Sequence, residues 1–309
     1  MAEEQWFLAG RTRSRRWKRV SHGLFVPVDG DSGDGGLHAL ASRLHEDGGF
    51  THLTAARLRE WWLPPLPPGL PEFAAQSDVR NRPRRAELRI IRTTPEPEIT
   101  LLRGLPIVPA TEVLLPLARH FGLLDVVVFL DSALHLGHVT PDELVVVLRN
   151  RRHGVRRLRE AAVLADGRSE SPFETLLRIL HIVCDIGVAP QHELWADGRL
   201  VARGDLWLVG TEAFHEYDGA EHRSRTRHRT DLRRERDIDR ARWVRRGYTD
   251  REVLQRPVEI LRDADRTLGR AHDPGRLCAW YALLRQSCFT PSGRTLLLRR
   301  LGLAEDLDA

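Results

Sequence analysis

Ser171-Pro172-Phe173-Glu174, Arg203-Gly204-Asp205-Leu206-Trp207 and Glu216-Tyr217-Asp218-Gly219 decide how this chain reads. Ser171 stands before a proline, with Glu174 three residues after it, the pattern of a capping box that opens a helix. Leu176, Leu177, Leu180 and Val183 give that helix an apolar stripe. Glu193 to Ala196 and Leu200 to Leu208 flank Asp197-Gly198, a strong two-residue hairpin signal. Glu212 to Asp218 reads as a third strand, Asp231 to Trp243 as helical, and Trp243 to Tyr248 as a last strand. Helix, three strands, helix, strand is the element order of an α/β/α core.

The acids in these segments point to chemistry. Residues two apart on a strand share a face, which groups Glu216 and Asp218 with Phe214. Asp205 lies near the end of the neighbouring strand, and Glu174 on the helix that packs against the sheet. Four converging carboxylates repel one another unless a cation sits among them. Oxygen ligands select Mg²⁺ or Mn²⁺, and such an ion polarises a phosphate and generates hydroxide. Taken singly, each acid has a plainer role. Glu174 completes a cap, Asp205 ends a strand, and Glu216 and Asp218 face solvent. Their position within apolar runs, Leu206-Trp207-Leu208 and Ala213-Phe214, favours the joint reading, because unpartnered buried charge costs several kcal/mol. His222 follows Asp218 closely and is a candidate proton carrier, with His228 behind it. Arg223, Arg225, Arg227, Arg229, Arg233, Arg234 and Arg236 fit a track for a DNA backbone, or a solvated face interleaved with Asp231, Glu235 and Asp237.

These motifs, with Ala202 before Arg203 and Asp231-Leu232-Arg233-Arg234 after the strands, resemble the Vsr-like endonuclease domains of the PD-(D/E)XK nuclease superfamily, from roughly Ser169 to Leu261. The resemblance implies a restriction-endonuclease-like core and metal-dependent phosphodiester hydrolysis. It casts Glu174 as the helix acid, Asp205 as the central metal ligand and Glu216 as the second acid. The motif lysine is absent, and Asp218 stands in its place.

The 309-residue chain has room for two domains, and Ala165-Asp166-Gly167-Arg168 is the best boundary. Arg11 to Arg19 forms a basic arm, and Trp17 to Pro27 alternates and turns at Gly23, as a short wing or a strand behind a solvated arm. Thr54 is expected to cap a helix carrying Leu58, Trp61 and Trp62, and Leu88 to Ile91 to form a strand. Leu123 to Leu134 reads as an apolar helix, and Thr140-Pro141-Asp142-Glu143 opens another. His22-Gly23-Leu24-Phe25-Val26, Thr51-His52-Leu53-Thr54-Ala55-Ala56, Gly104-Leu105-Pro106-Ile107-Val108 and Ala133-Leu134-His135-Leu136-Gly137 resemble AbiEi-type antitoxin and transcriptional regulators, with the usual N-terminal winged helix shortened.

The net charge of +5, carried almost wholly by arginine, suits a nucleic-acid partner, as it would a GC-rich genome. Three cysteines without CxxC spacing argue against a disulfide framework or a zinc site. No apolar run is long enough to cross a bilayer, and the acidic N-terminus lacks a signal core, so a cytoplasmic protein is expected. The expectation is therefore α+β overall. Residues 1–165 form a mostly helical regulator or DNA-binding region with a short β wing, and residues 166–309 an α/β/α nuclease domain with C-terminal helices. The expected function is a DNA endonuclease with Mg²⁺ or Mn²⁺ on Asp205 and Glu216, supported by Glu174, while Asp218 and His222 orient water or the leaving group. The alternative is a non-catalytic DNA-binding regulator or antitoxin that uses the nuclease fold as a binding module. A partner toxin is left open.

Overall fold

The computed structural model describes residues 7–12, 14–28, 34–77, 86–94, 96–149, 151–219 and 236–303. The chain has the expected α+β character and divides into two compact units, each drawn from several pieces of sequence.

The first unit takes Met1–Trp61, Pro67–Arg119 and Asp142–Val155. It holds more strand than a mostly helical region would. Strands β1 (Leu8–Ala9), β2 (Trp17–Ser21) and β3 (Leu24–Pro27) form a sheet of order β1-β3-β2, turning at His22-Gly23 as the alternation predicts. Helix α1 (Gly35–Ala41) packs on β3. A second sheet joins β4 (Gly49–Phe50), β5 (Glu72–Gln76), β6 (Leu88–Arg92), β7 (Thr100–Leu102) and β8 (Leu105–Ile107) in the order β6-β5-β4-β8-β7. Helix α2 (His52–Leu58) packs on β5 and starts after Thr51, not Thr54. Thr54 is instead a buried tie: its hydroxyl donates to Glu72 (2.7 Å) and accepts from Phe73 N (2.7 Å). Most of α3 (Ala110–His120) and of α5 (Pro141–Leu148) complete the unit.

The second unit takes Trp62–Leu66, His120–Pro141 and Arg156–Ala309. Its sheet comprises β9 (Val188–Ala196), β10 (Arg199–Leu208), β11 (Ala213–Tyr217) and β12 (Val244–Tyr248), ordered β12-β11-β10-β9. The hairpin forms as read: Asp197 (φ 51°) and Gly198 (φ 72°) supply the two positive torsions that a type I′ turn needs. β12 runs parallel to β11, so the chain must cross over between them. That crossover includes α8, a helical turn at 236–240. Its Ile238 packs with Leu194, Ala202 and Phe214 on one sheet face. Helix α7 (Pro172–Val183) covers the other, where His181 meets His215.

The units do not follow a division at 165/166. Helices α4 (Leu123–His135) and most of α6 (Val155–Leu164) belong with the C-terminal sheet. Buried acids on α4 account for this. Asp131 accepts from Thr175 Oγ1 (2.7 Å), Arg178 Nη2 (2.6 Å) and Asp166 N (2.7 Å). Asp125 accepts from Ser287 Oγ (2.5 Å) and Cys288 N (3.1 Å), ahead of α12 (Pro291–Leu301). Helices α9 (Asp250–Gln255), α10 (Pro257–Thr267) and α11 (Leu277–Leu284) finish the unit. α9 opens with the capping box of Thr249 and Glu252. Cys184 and Cys288 are buried and Cys278 exposed, all as free thiols. No helix among the described residues is long and apolar enough to cross a membrane.

Candidate functional site

β11 sorts its side chains strictly by parity. His215 Nδ1 lies 2.9 Å from His181 Nε2, and the Tyr217 ring stacks on Phe173 at 4.9 Å, so both turn toward α7. Phe214 and Glu216 take the opposite face. There Phe214 packs on Trp243 at 4.7 Å, and His192 stacks on Trp207 at 4.3 Å. Gly204 is required at this point, because a Cβ would lie 2.3 Å from the Phe214 ring.

Glu216 and Asp218 do share a face, as their spacing predicts, and what they share is a guanidinium. Arg245 Nε donates to Glu216 Oε2 at 2.5 Å, and Arg245 Nη2 donates to Asp218 Oδ1. Arg245 sits on β12, beside Phe214 in the parallel register, which aims it along β11 toward Glu216. Gly247 opposite Glu216 leaves the room, since a Cβ there would collide with the Asp218 carboxylate. Burial acts to lower the Arg245 pKa, but the two carboxylates outweigh it and hold the group above its ordinary value. Glu216 is nearly fully buried, so this pairing satisfies a charge that would be costly alone.

Asp205 reaches the same strand end by another route. Its Oδ2 accepts from Tyr217 N at 2.9 Å, beside the Glu216 main chain. The β10–β11 ladder pairs Leu206 with His215 and Trp207 with Phe214, and the Asp205 side chain extends it by one bond. Glu174 stays with α7. Ser171 Oγ accepts from Glu174 N at 3.2 Å, as a cap should. The Glu174 carboxylate reaches past the cap to Glu170 N (2.8 Å) and accepts from Gln191 Nε2 (3.0 Å). Burial raises its pKa above the ordinary carboxylate range. The helix thus carries Glu174 on the His215 side, while Glu216 and Asp218 turn to the Phe214 side. His222 and Arg223 to Arg234 lie outside the described residues.

As they stand, these side chains do not fit a divalent cation. Among the described residues, no group of three or more His, Cys, Asp or Glu side chains is placed to hold a metal. The space between Glu216 and Asp218 is filled by the guanidinium. Sequence reasoning missed Arg245, although the two consecutive arginines in the last strand, one per face, were a signal for it. It also missed the chain beneath α7. His215 Nε2 lies 3.4 Å from Tyr248 Oη, which donates to Asp263 at 3.3 Å. Burial holds both His181 and His215 below the ordinary imidazole pKa, His181 at about 4.

No protein-family model, curated protein or solved structure matches the chain.

Proposed function

We propose that this protein binds DNA and that its C-terminal unit is a nuclease-like frame used for binding, without a metal-ready centre. The observation that carries this reading is the double ion pair of Arg245 with Glu216 and Asp218. A fixed guanidinium supplies the positive charge that the acids require, so no metal is needed to hold them together. The missing motif lysine supports the same reading. DNA as the partner is supported by the arginine-dominated charge of +5 and by the likeness to AbiEi-type regulators.

The test is a pair of measurements on the full chain. Fluorescence anisotropy with labelled duplex is expected to give binding that weakens steeply with salt. Plasmid and single-stranded DNA incubated with Mg²⁺ or Mn²⁺ are expected to stay intact. The metal-dependent endonuclease is the second reading. It is favoured by Asp205, whose carboxylate is bonded one residue from Glu216 and Asp218. Cleavage that disappears in Asp205→Ala would establish that reading and overturn the first.

A further inference from the structure

The first unit contains a cleft of about 800 Å³ whose lining carries a one-sided charge. Arg11, Arg19, Arg43 and His22 line it, and among the described residues no Asp or Glu does. A neighbouring cleft provides the contrast. It is lined by Arg57 together with Glu72 and Glu87, and Arg57 bonds Glu72 there at 2.7 Å. Three guanidinium groups around one concavity repel each other and focus a positive potential into it, which an anion relieves. Guanidinium forks match phosphate oxygens in pairs, a geometry that an ammonium lacks.

The frame of the cleft is fixed by the β1-β3-β2 sheet. Gly10 and Gly23 both adopt positive φ (124° and 69°), and Gly10 N donates to Gly23 O at 3.0 Å. That closure sets Arg11 and His22 side by side at one rim. Arg19 pairs with Phe25 across β2 and β3, and its Nη2 lies 3.4 Å from His22 Nδ1. Arg43 enters from the turn after α1. Phe25 is half-buried and adds an aromatic wall beside the basic groups. Basic groups with one aromatic face suit a phosphate joined to an unpaired base, since a base inside a duplex has no free face to offer. The volume suits a ligand of nucleotide size.

We propose that this cleft binds an unpaired nucleotide, its phosphate on Arg11, Arg19 and Arg43 and its base against Phe25. The inference takes only the partner class from the DNA-binding reading; the residues and the single-stranded preference are its own. A nucleotide within a strand and a free nucleotide share this chemistry, so both are tested.

The experiment measures affinity of the full chain for a 20-mer single strand, the matching duplex, a nucleoside monophosphate and inorganic phosphate. It uses wild type, Arg19→Gln/Arg43→Gln and Phe25→Leu, with circular dichroism as the folding check. Single-strand affinity is expected to fall at least tenfold in the arginine variant. Its salt slope should shrink by about 1.4, for two lost phosphate contacts. Duplex affinity should change less than threefold. Phe25→Leu should weaken single-strand binding several-fold without altering the salt slope. A monophosphate that binds with the same sensitivities, in place of the strand, also supports the site and assigns it to a free nucleotide. Single-strand affinity within twofold of wild type in the arginine variant overturns the proposal. So does inorganic phosphate competing as well as the monophosphate, with Phe25→Leu silent. Duplex binding that persists while the cleft variants are silent leaves the DNA-binding reading standing alone; a wild type that binds neither DNA nor the monophosphate removes both.

Discussion

Asp131 has no exposed surface, and three donors surround its carboxylate. Arg178, almost as deeply buried, supplies the counter-charge at 2.6 Å. Removing one partner of such a pair strands the other in the interior, which costs more than the pair itself contributes. Asp131→Ala is therefore expected to lower stability by about 3–5 kcal/mol in urea unfolding. Asp131→Leu/Arg178→Met should recover much of that loss. A cost under about 1 kcal/mol for the single variant would contradict this account. The same criterion that singled out the strand acids, charge inside an apolar run, applied equally to Leu123–Leu134, where Asp125 and Asp131 both lie. Sequence could flag such acids but not their partners: Arg178 and Ser287 are 47 and 162 positions away. Arg245 illustrates the same limit, because its role depends on the register of β12 against β11.

Where α7 meets β11, two neutral imidazoles share one hydrogen bond, and their titration links this element pair to pH. His181 is held at about 4, chiefly by burial, and His215 is lowered by burial, by His181 and by Arg246. The unfolded chain takes up protons below about 6.5, whereas the folded pair resists until well below that. Stability is therefore full above 6.5 and declines as pH falls toward 4, by about 3 kcal/mol for His181 alone. Asp125 acts in the opposite sense. Burial raises it to about 6, so the folded chain protonates it before the unfolded chain does, and acidification from 6 to near 4 stabilises. Comparing urea midpoints at pH 7 and pH 5, His215→Phe should lose less stability than wild type and Asp125→Asn more. Equal losses in all three proteins would refute the assignment.

Elements with local signals were readable: the Asp197-Gly198 turn fixes β9 and β10, and Ser171 fixes the start of α7. In the five-stranded sheet, β6 was legible as a strand at Leu88 to Ile91, but β4 and β5 were not. Gly49–Phe50 is two residues long, and Phe73, Ala74 and Ala75 on β5 are all buried, so neither length nor alternation marks them. Gly204 shows how tightly β10 is packed beside the site. Gly204→Ala should cost about 1–3 kcal/mol through overpacking against Phe214, measured as a lower thermal midpoint with native circular dichroism.

Across the whole molecule, metal dependence becomes a question of stability that needs no substrate. An ion that binds only the folded chain adds RT ln(1 + [ion]/Kd), about 2.7 kcal/mol at a hundredfold excess over Kd. For a unit of this size each kcal/mol moves the thermal midpoint by roughly 2–4 °C, so a site of ~0.1 mM affinity in 10 mM Mg²⁺ should raise it by roughly 5 °C or more. With Arg245 between Glu216 and Asp218, wild type is expected to show less than about 1 °C of change with Mg²⁺ or Mn²⁺. Arg245→Met tests the cause. Taking the guanidinium away from the buried Glu216 carboxylate should lower the midpoint in the absence of metal. If the acids are able to hold a cation once the guanidinium is gone, Mn²⁺ should restore part of that loss in Arg245→Met and none in Arg245→Met/Asp205→Ala. A rise of several degrees with Mg²⁺ in wild type, abolished by Asp205→Ala, would mean that the ion displaces Arg245, and the chain would then be read as a metal-dependent nuclease.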